Sequence, residues 1–191
     1  MKDKGLVEGI GNLYEPNRAL TRAEFVTIMD RAFDFSKLLQ ACSSTVSVTS
    51  SVYGCKPATS GTRTSQAASY KDLPATHWAS TTMRKAAQLG LLQGYSDGTI
   101  GPDKPISRAE VAVLFNRLLQ VGKSASITKA VITPSFSDVP ASLWSADAIY
   151  SLKKQGIING VTDRDFKPDL PISRAETAVM MDRYFSTLSA K

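Results

Sequence analysis

The sequence has little histidine, little cysteine and no long apolar run, and each shortage removes a class of function. His77 is the only histidine of 191 residues, and Cys42 and Cys55 are the only cysteines. That is too few for a structural zinc site or a disulfide-built scaffold, and no metal or cofactor is implied. No stretch approaches the roughly 20 apolar residues of a membrane span, so membrane insertion is not expected. The start, Met1-Lys2-Asp3-Lys4-Gly5, has no signal-peptide core behind it, so work outside the cell would make this chain part of something longer. What is present is ordinary globular material, 42% hydrophobic and 21% charged, enough for one sizeable core or two small ones. Lys and Arg outnumber Asp and Glu by 23 to 17, a net charge of +6 that gives a mild preference for polyanions. The basic residues are dispersed rather than gathered in a stripe, which argues against nucleic acid.

An internal repeat organises the rest. Pro16-Asn17-Arg18-Ala19-Leu20-Thr21-Arg22-Ala23-Glu24 aligns with Pro102-Asp103-Lys104-Pro105-Ile106-Ser107-Arg108-Ala109-Glu110 and with Pro168-Asp169-Leu170-Pro171-Ile172-Ser173-Arg174-Ala175-Glu176. Upstream, Gly5-Leu6-Val7-Glu8-Gly9 matches Gly90-Leu91-Leu92-Gln93-Gly94 and Gly156-Ile157-Ile158-Asn159-Gly160. Copies two and three reach further back, through Trp78 and Trp144 to Asp72-Leu73-Pro74 and Asp138-Val139-Pro140. Copy one has only four residues before Gly5 and begins in mid-repeat; if the fold needs three complete copies, the chain should be unstable, or should exchange a helix with a partner chain or oligomerise. The organisation is then a partial repeat at 1–40, a Ser/Thr-rich linker at 41–69, repeats at 70–122 and 136–191, and a linker at 123–135. A Cys42–Cys55 bridge inside the first linker would contribute up to about 3 kcal/mol in the chain-entropy model.

Each block predicts a helix start. Thr21 with Glu24, Ser107 with Glu110 and Ser173 with Glu176 are capping boxes, in which the hydroxyl accepts from the third amide and the carboxylate reaches back to the cap amide. Leu20, Ile106 and Ile172 are placed to staple onto Phe25, Val111 and Thr177, the last offering only a methyl. Apolar residues then recur at i, i+3, i+4, i+7 and i+8, as in Phe25, Ile28, Met29, Ala32 and Phe33, so one face of each helix is buried. Shorter helices are expected over Trp78 to Leu89 and Trp144 to Gln155, closed by Gly90 and Gly156. The predicted fold is all-α: helix, turn, loop, capped helix, repeated and packed on a shared core because one unit cannot bury its own apolar face.

These motifs resemble the S-layer homology domain family: an Asp-x-Pro start, a Trp, a Gly-[Leu/Ile]-[Leu/Ile]-x-Gly turn, then Pro-Asp-x-Pro-Ile-[Ser/Thr]-Arg-Ala-Glu and an apolar helix. The resemblance implies a pseudo-three-fold helical prism that anchors surface proteins to the bacterial cell wall. Its implied ligand is an anionic secondary cell-wall polysaccharide carrying pyruvylated N-acetylmannosamine, held in grooves between repeats. Carried over, the ligand residues are Arg22, Arg108 and Arg174, with Trp78 and Trp144 as groove aromatics and Gly9, Gly94 and Gly160 as turn glycines.

The residues themselves leave alternatives. An Arg at the first helical position stands where the helix dipole and free amides favour an anion, and its planar fork suits a carboxylate. The alternative is that it pairs with a neighbouring Asp or Glu, and the repetition favours the anion. Trp78 and Trp144 could stack on a sugar or seed the core. Asp163, Asp165 and Asp169 hint at calcium but lack the Gly and terminal Glu of an EF-hand. Arg31, Arg117 and Arg183 recur at one helical position, suiting an inter-repeat ion pair or a solvated face. Recurrent acids are caps or the loop-starting Asp72 and Asp138, with no nucleophile beside a base, so no enzyme is expected. The leading expectation is a binding module on the cell surface; the alternative is a surface-layer assembly unit that does not bind glycan directly.

Overall fold

Six helices organise the residues that the computed structural model describes, 15–44, 70–121 and 134–189. They are α1 (Arg22–Phe33), α2 (Phe35–Ser44), α3 (Ser80–Gln88), α4 (Arg108–Gln120), α5 (Ala146–Lys154) and α6 (Arg174–Ser189). Among these residues no strand forms, only isolated bridges pairing Ala19 with Ser173 and Ser107 with Pro171, so the fold is all-α as expected. No helix among them is long and apolar enough to cross a membrane. Gly9, Cys55 and the Cys42 side chain lie outside the described residues, and so does any Cys42–Cys55 bridge.

The short helices α3 and α5 begin two residues later than Trp78 and Trp144. Tight turns precede them, with His77 N donating to the Pro74 carbonyl at 3.0 Å and Leu143 N to that of Pro140 at 2.9 Å. Both helices end as predicted. Gly90 and Gly156 sit in the left-handed region at φ 69° and 72°. Leu91 N returns to the Ala86 carbonyl and Ile157 N to that of Leu152, the six-to-one bond of a Schellman turn.

Helix α2 was absent from the sequence reading, which ended the first copy at residue 40. Asp34 explains both the break after α1 and the new start. Its backbone turns left-handed at φ 49° while its N–H still reaches the Asp30 carbonyl. Its carboxylate then accepts from Lys37 N at 3.2 Å, the third amide of α2, while Asp30 Oδ1 takes the Phe35 N–H. One Asp therefore closes a helix and caps the next.

The described residues form two compact units, one holding 15–20, 105–116 and 134–189, the other 21–44, 70–104 and 117–121. In the second, α1 and α2 pack on α3, burying Phe25, Met29, Phe35 and Met83. In the first, Phe115, Ile149, Leu152, Phe166 and Met181 are buried, and Phe115 meets Tyr184 edge-on at 5.4 Å. This first core contains a mismatch at Thr177, and a second unpartnered buried hydroxyl at Ser145. Thr177 is fully buried with a hydroxyl that has no partner. Its counterpart in copy two is Val111, so Thr177→Val should raise stability by about 1 kcal/mol, read as a higher urea midpoint at unchanged slope.

Candidate functional site

The first amides of an α-helix have no intrahelical partner and must be satisfied elsewhere. Here each helix start solves this with its own side chains and with another copy's loop, which begins Pro-Asp in copies two and three and Pro-Asn in copy one. In α4, Ser107 N donates to Glu110 Oε2 at 2.9 Å and Glu110 N to Ser107 Oγ at 3.2 Å. Arg108 N and Ala109 N donate to the carbonyls of Leu170 and Pro168, both at 2.9 Å. The same four bonds recur in α1, with Thr21, Glu24 and the carbonyls of Lys104 and Pro102. In α6 they use Ser173, Glu176 and the carbonyls of Arg18 and Pro16. Copy one draws on copy two, two on three, and three on one. Leu20, Ile106 and Ile172 close a triangle in the first unit, each donating its N–H to the next one's carbonyl within 3.0 Å.

Contrary to the expectation from the sequence, the helix-start amides are not left open to a ligand. The amides credited with holding an anion are all engaged, because the proline loop of another copy reaches them first. The loop takes that shape through a left-handed residue before its proline: Glu15 at φ 49°, Gly101 at 64° and Lys167 at 59°. Only one of the three is glycine, which hid the feature from a search for glycine turns.

Two carboxylates hold the loop from behind. Asp138 accepts from Phe166 N at 2.8 Å and Lys167 N at 2.7 Å, and Asp72 accepts from Ile100 N and Gly101 N at 2.8 and 2.7 Å. Sequence reasoning placed both as loop starters without this role; their matched spacing to Ile100 and Phe166 was the available signal. Asp138→Ala should cost about 2–3 kcal/mol in thermal or chemical unfolding, because two amides lose a charged acceptor. Nearby, the Ser137 hydroxyl at 2.5 Å, then Lys167, hold the Asp165 carboxyl below the ordinary 3.8. A depressed folded-state value contributes stability above the ordinary value that is lost as pH falls through the depressed one. Ser137→Ala should therefore flatten the loss of stability below about pH 4.

The motif arginines lie across these loops and are buried: Arg22, Arg108 and Arg174 are 4%, 7% and 6% exposed. In the first unit, Arg108 Nε donates to the Phe166 carbonyl at 2.8 Å and Nη2 to that of Asn159 at 2.9 Å. Its guanidinium covers the Phe166 ring at 4.6 Å. Nη1 pairs with Glu176 Oε1, so Glu176 both caps α6 and receives the arginine of copy two. Burial pushes the Arg108 pKa down from its ordinary value while the Glu176 charge opposes it, and the group stays ionised beside its counter-charge. In the second unit, Arg22 makes the corresponding bonds to the carbonyls of Ile100 and Gln93, at 3.0 and 3.2 Å, under the Tyr95 ring.

Beside Arg108 a groove of about 270 Å³ opens between α4, α6 and the copy-three turn. Val111, Ile157, Ile158, Phe166 and Met180 give it apolar walls, and Arg108, Asn159, Glu176 and Arg183 are its polar lining. Gly160 also lines it, where a Cβ would stand 2.3 Å from the Thr162 carbonyl oxygen. Gly94 is equally confined, 2.6 Å from the Tyr70 ring and 2.7 Å from the Thr99 carbonyl. Trp78 and Trp144 are apart from the groove lining and outside both cores, 63% and 64% exposed. His77 stacks on Trp78 at 5.7 Å and stands 3.5 Å from Asp103. Among the described residues no group of His, Cys, Asp and Glu is arranged to hold a metal.

The S-layer homology domain matches this chain at residues 1–26, 69–112 and 135–178. Cell surface glycoprotein 1 of Acetivibrio thermocellus is 34% identical over 175 residues, covering 89% of this chain and 6% of that protein. A cellulosome-anchoring protein of the same organism is 31% identical over 174 residues, 91% of this chain and 33% of the relative. S-layer protein EA1 of Bacillus anthracis is 34% identical over 113 residues, 59% of this chain and 12% of its own length. The chain thus spans a third or less of each of these relatives.

Proposed function

We propose, because the chain belongs to the S-layer homology domain family, that it is a non-catalytic module anchoring a larger protein to the bacterial cell wall through an anionic, pyruvylated polysaccharide. The observation that carries this reading is the groove beside Arg108: concave, apolar-walled and rimmed by a few polar groups, as saccharide-sized ligands require. The names of the relatives, a cell-surface glycoprotein, a cellulosome-anchoring protein and S-layer proteins, support the surface location. The recurrent acids support a binding role over catalysis, since Asp72 and Asp138 hold loop amides and the motif glutamates hold helix starts.

Arg22 and Arg174 frame corresponding sites in this proposal, and several weak sites on one chain gain avidity on a polymer that repeats its epitope. Trp78 and Trp144 offer exposed indole faces on which sugar rings can stack. Co-sedimentation with purified wall sacculi tests the reading. The protein should pellet with intact sacculi and stay in solution once the secondary polysaccharide has been extracted. Pelleting that survives extraction would reject the glycan and favour assembly through protein or peptidoglycan contacts.

A further inference from the structure

We propose that Arg183 is the residue that selects an acidic ligand in the groove, a role that neither the motif nor its repetition assigns to it. The inference rests on the groove being the saccharide site. Residues Ala175, Glu176, Val179, Met180 and Arg183 lie along one stripe of α6, and all five line the groove. Two of the three charged groups in that lining cancel, because Glu176 is paired with Arg108. Arg183 is left as the uncompensated charge.

Its position in the repeat makes this informative. Arg117, the copy-two counterpart, donates to the Leu91 carbonyl at 3.3 Å, and Arg31 in copy one also has an interaction partner. Among the described residues Arg183 has neither hydrogen bond nor ion pair, although its side chain is half-buried against the groove. A guanidinium held at an apolar wall with its donors unspent is a receptor for a planar anion, and a carboxylate matches it with two parallel bonds. Val179, 48% exposed one turn earlier on the same stripe, gives the ring face of a sugar an apolar surface beside that charge. The ligand chemistry is therefore a carboxylated saccharide, with the carboxylate on Arg183 and the structural pair Arg108–Glu176 left intact.

The test titrates wild type, Arg183→Gln and Arg183→Lys with polysaccharide extracted from wall sacculi. One portion of the polysaccharide is intact, and the other has its carboxylates reduced to alcohols. Wild type should bind the intact form about tenfold more tightly than the reduced form, the scale of one charge-assisted contact. Arg183→Gln should bind both forms alike, at the level of wild type on reduced polysaccharide, with an unchanged melting temperature. Arg183→Lys should keep part of the preference. Wild-type affinity for the intact form in Arg183→Gln, or an equal loss on both forms, would overturn the inference alone. Wild type binding neither form would overturn the groove reading with it.

Discussion

Replacing Arg108 by alanine is expected to lower the melting temperature by roughly 6–12 °C, the equivalent of about 3 kcal/mol for a chain of this size. Breaking a buried ion pair by removing one partner typically costs about 3–5 kcal/mol, since the other charge is left uncompensated. The lower end applies here because the Glu176 side chain is 38% exposed and recovers some hydration. The carbonyls of Phe166 and Asn159 lose their donor in the same step. Lysine should not rescue the loss, since one ammonium cannot reach two carbonyls, a carboxylate and a ring face together. An Arg108→Ala protein that melts like wild type would mean that the arginine serves only a ligand.

Gly160→Ala is expected to be at least as damaging, about 3 kcal/mol or more, through sterics alone. The new Cβ would fall 2.3 Å from the Thr162 carbonyl oxygen and 2.7 Å from both the Asp165 carbonyl oxygen and the Phe136 ring. Two of these neighbours are backbone and cannot swing away, so overpacking is unrelieved. Gly156 supplies the internal comparison. It lies in the left-handed region with nothing within 4 Å of a new Cβ, so Gly156→Ala should cost only the backbone penalty of about 1–2 kcal/mol. Denaturant titration of the two variants side by side measures the difference.

The helix starts were legible in the sequence because a capping box is a local device, its partners lying three residues apart. The Schellman ends of α3 and α5 were legible for the same reason, through Gly90 and Gly156. What the sequence could not display were partners distant along the chain. The carbonyls that satisfy Arg108 N and Ala109 N belong to residues about sixty positions away, and nothing in the side chains of Leu170 and Pro168 announces that their backbone is the acceptor. Asp138 was visible as a recurring acid, but its link to Phe166 N depends on a left-handed Lys167 that no glycine marks. Helix α2 was missed because Asp34 both ends one helix and begins another, and a polar residue after an apolar stripe reads as an exit.

The candidate site was half legible. The motif arginines were found as a set, and the choice between ligand and carboxylate partner stayed open on sequence. Arg108 has a carboxylate partner and still borders the groove, so the motif joins copies and forms one edge of a pocket at once. Arg183 could be seen to recur but not to differ from Arg117, because that difference lies in an unmade bond.

Amide hydrogen exchange with and without extracted wall polysaccharide tests the groove most directly. The account predicts added protection across residues 157–160 and along the 175–183 stretch of α6, with little change in α2. Tight binding that leaves the groove segments unprotected, with its footprint confined to other segments, would contradict it.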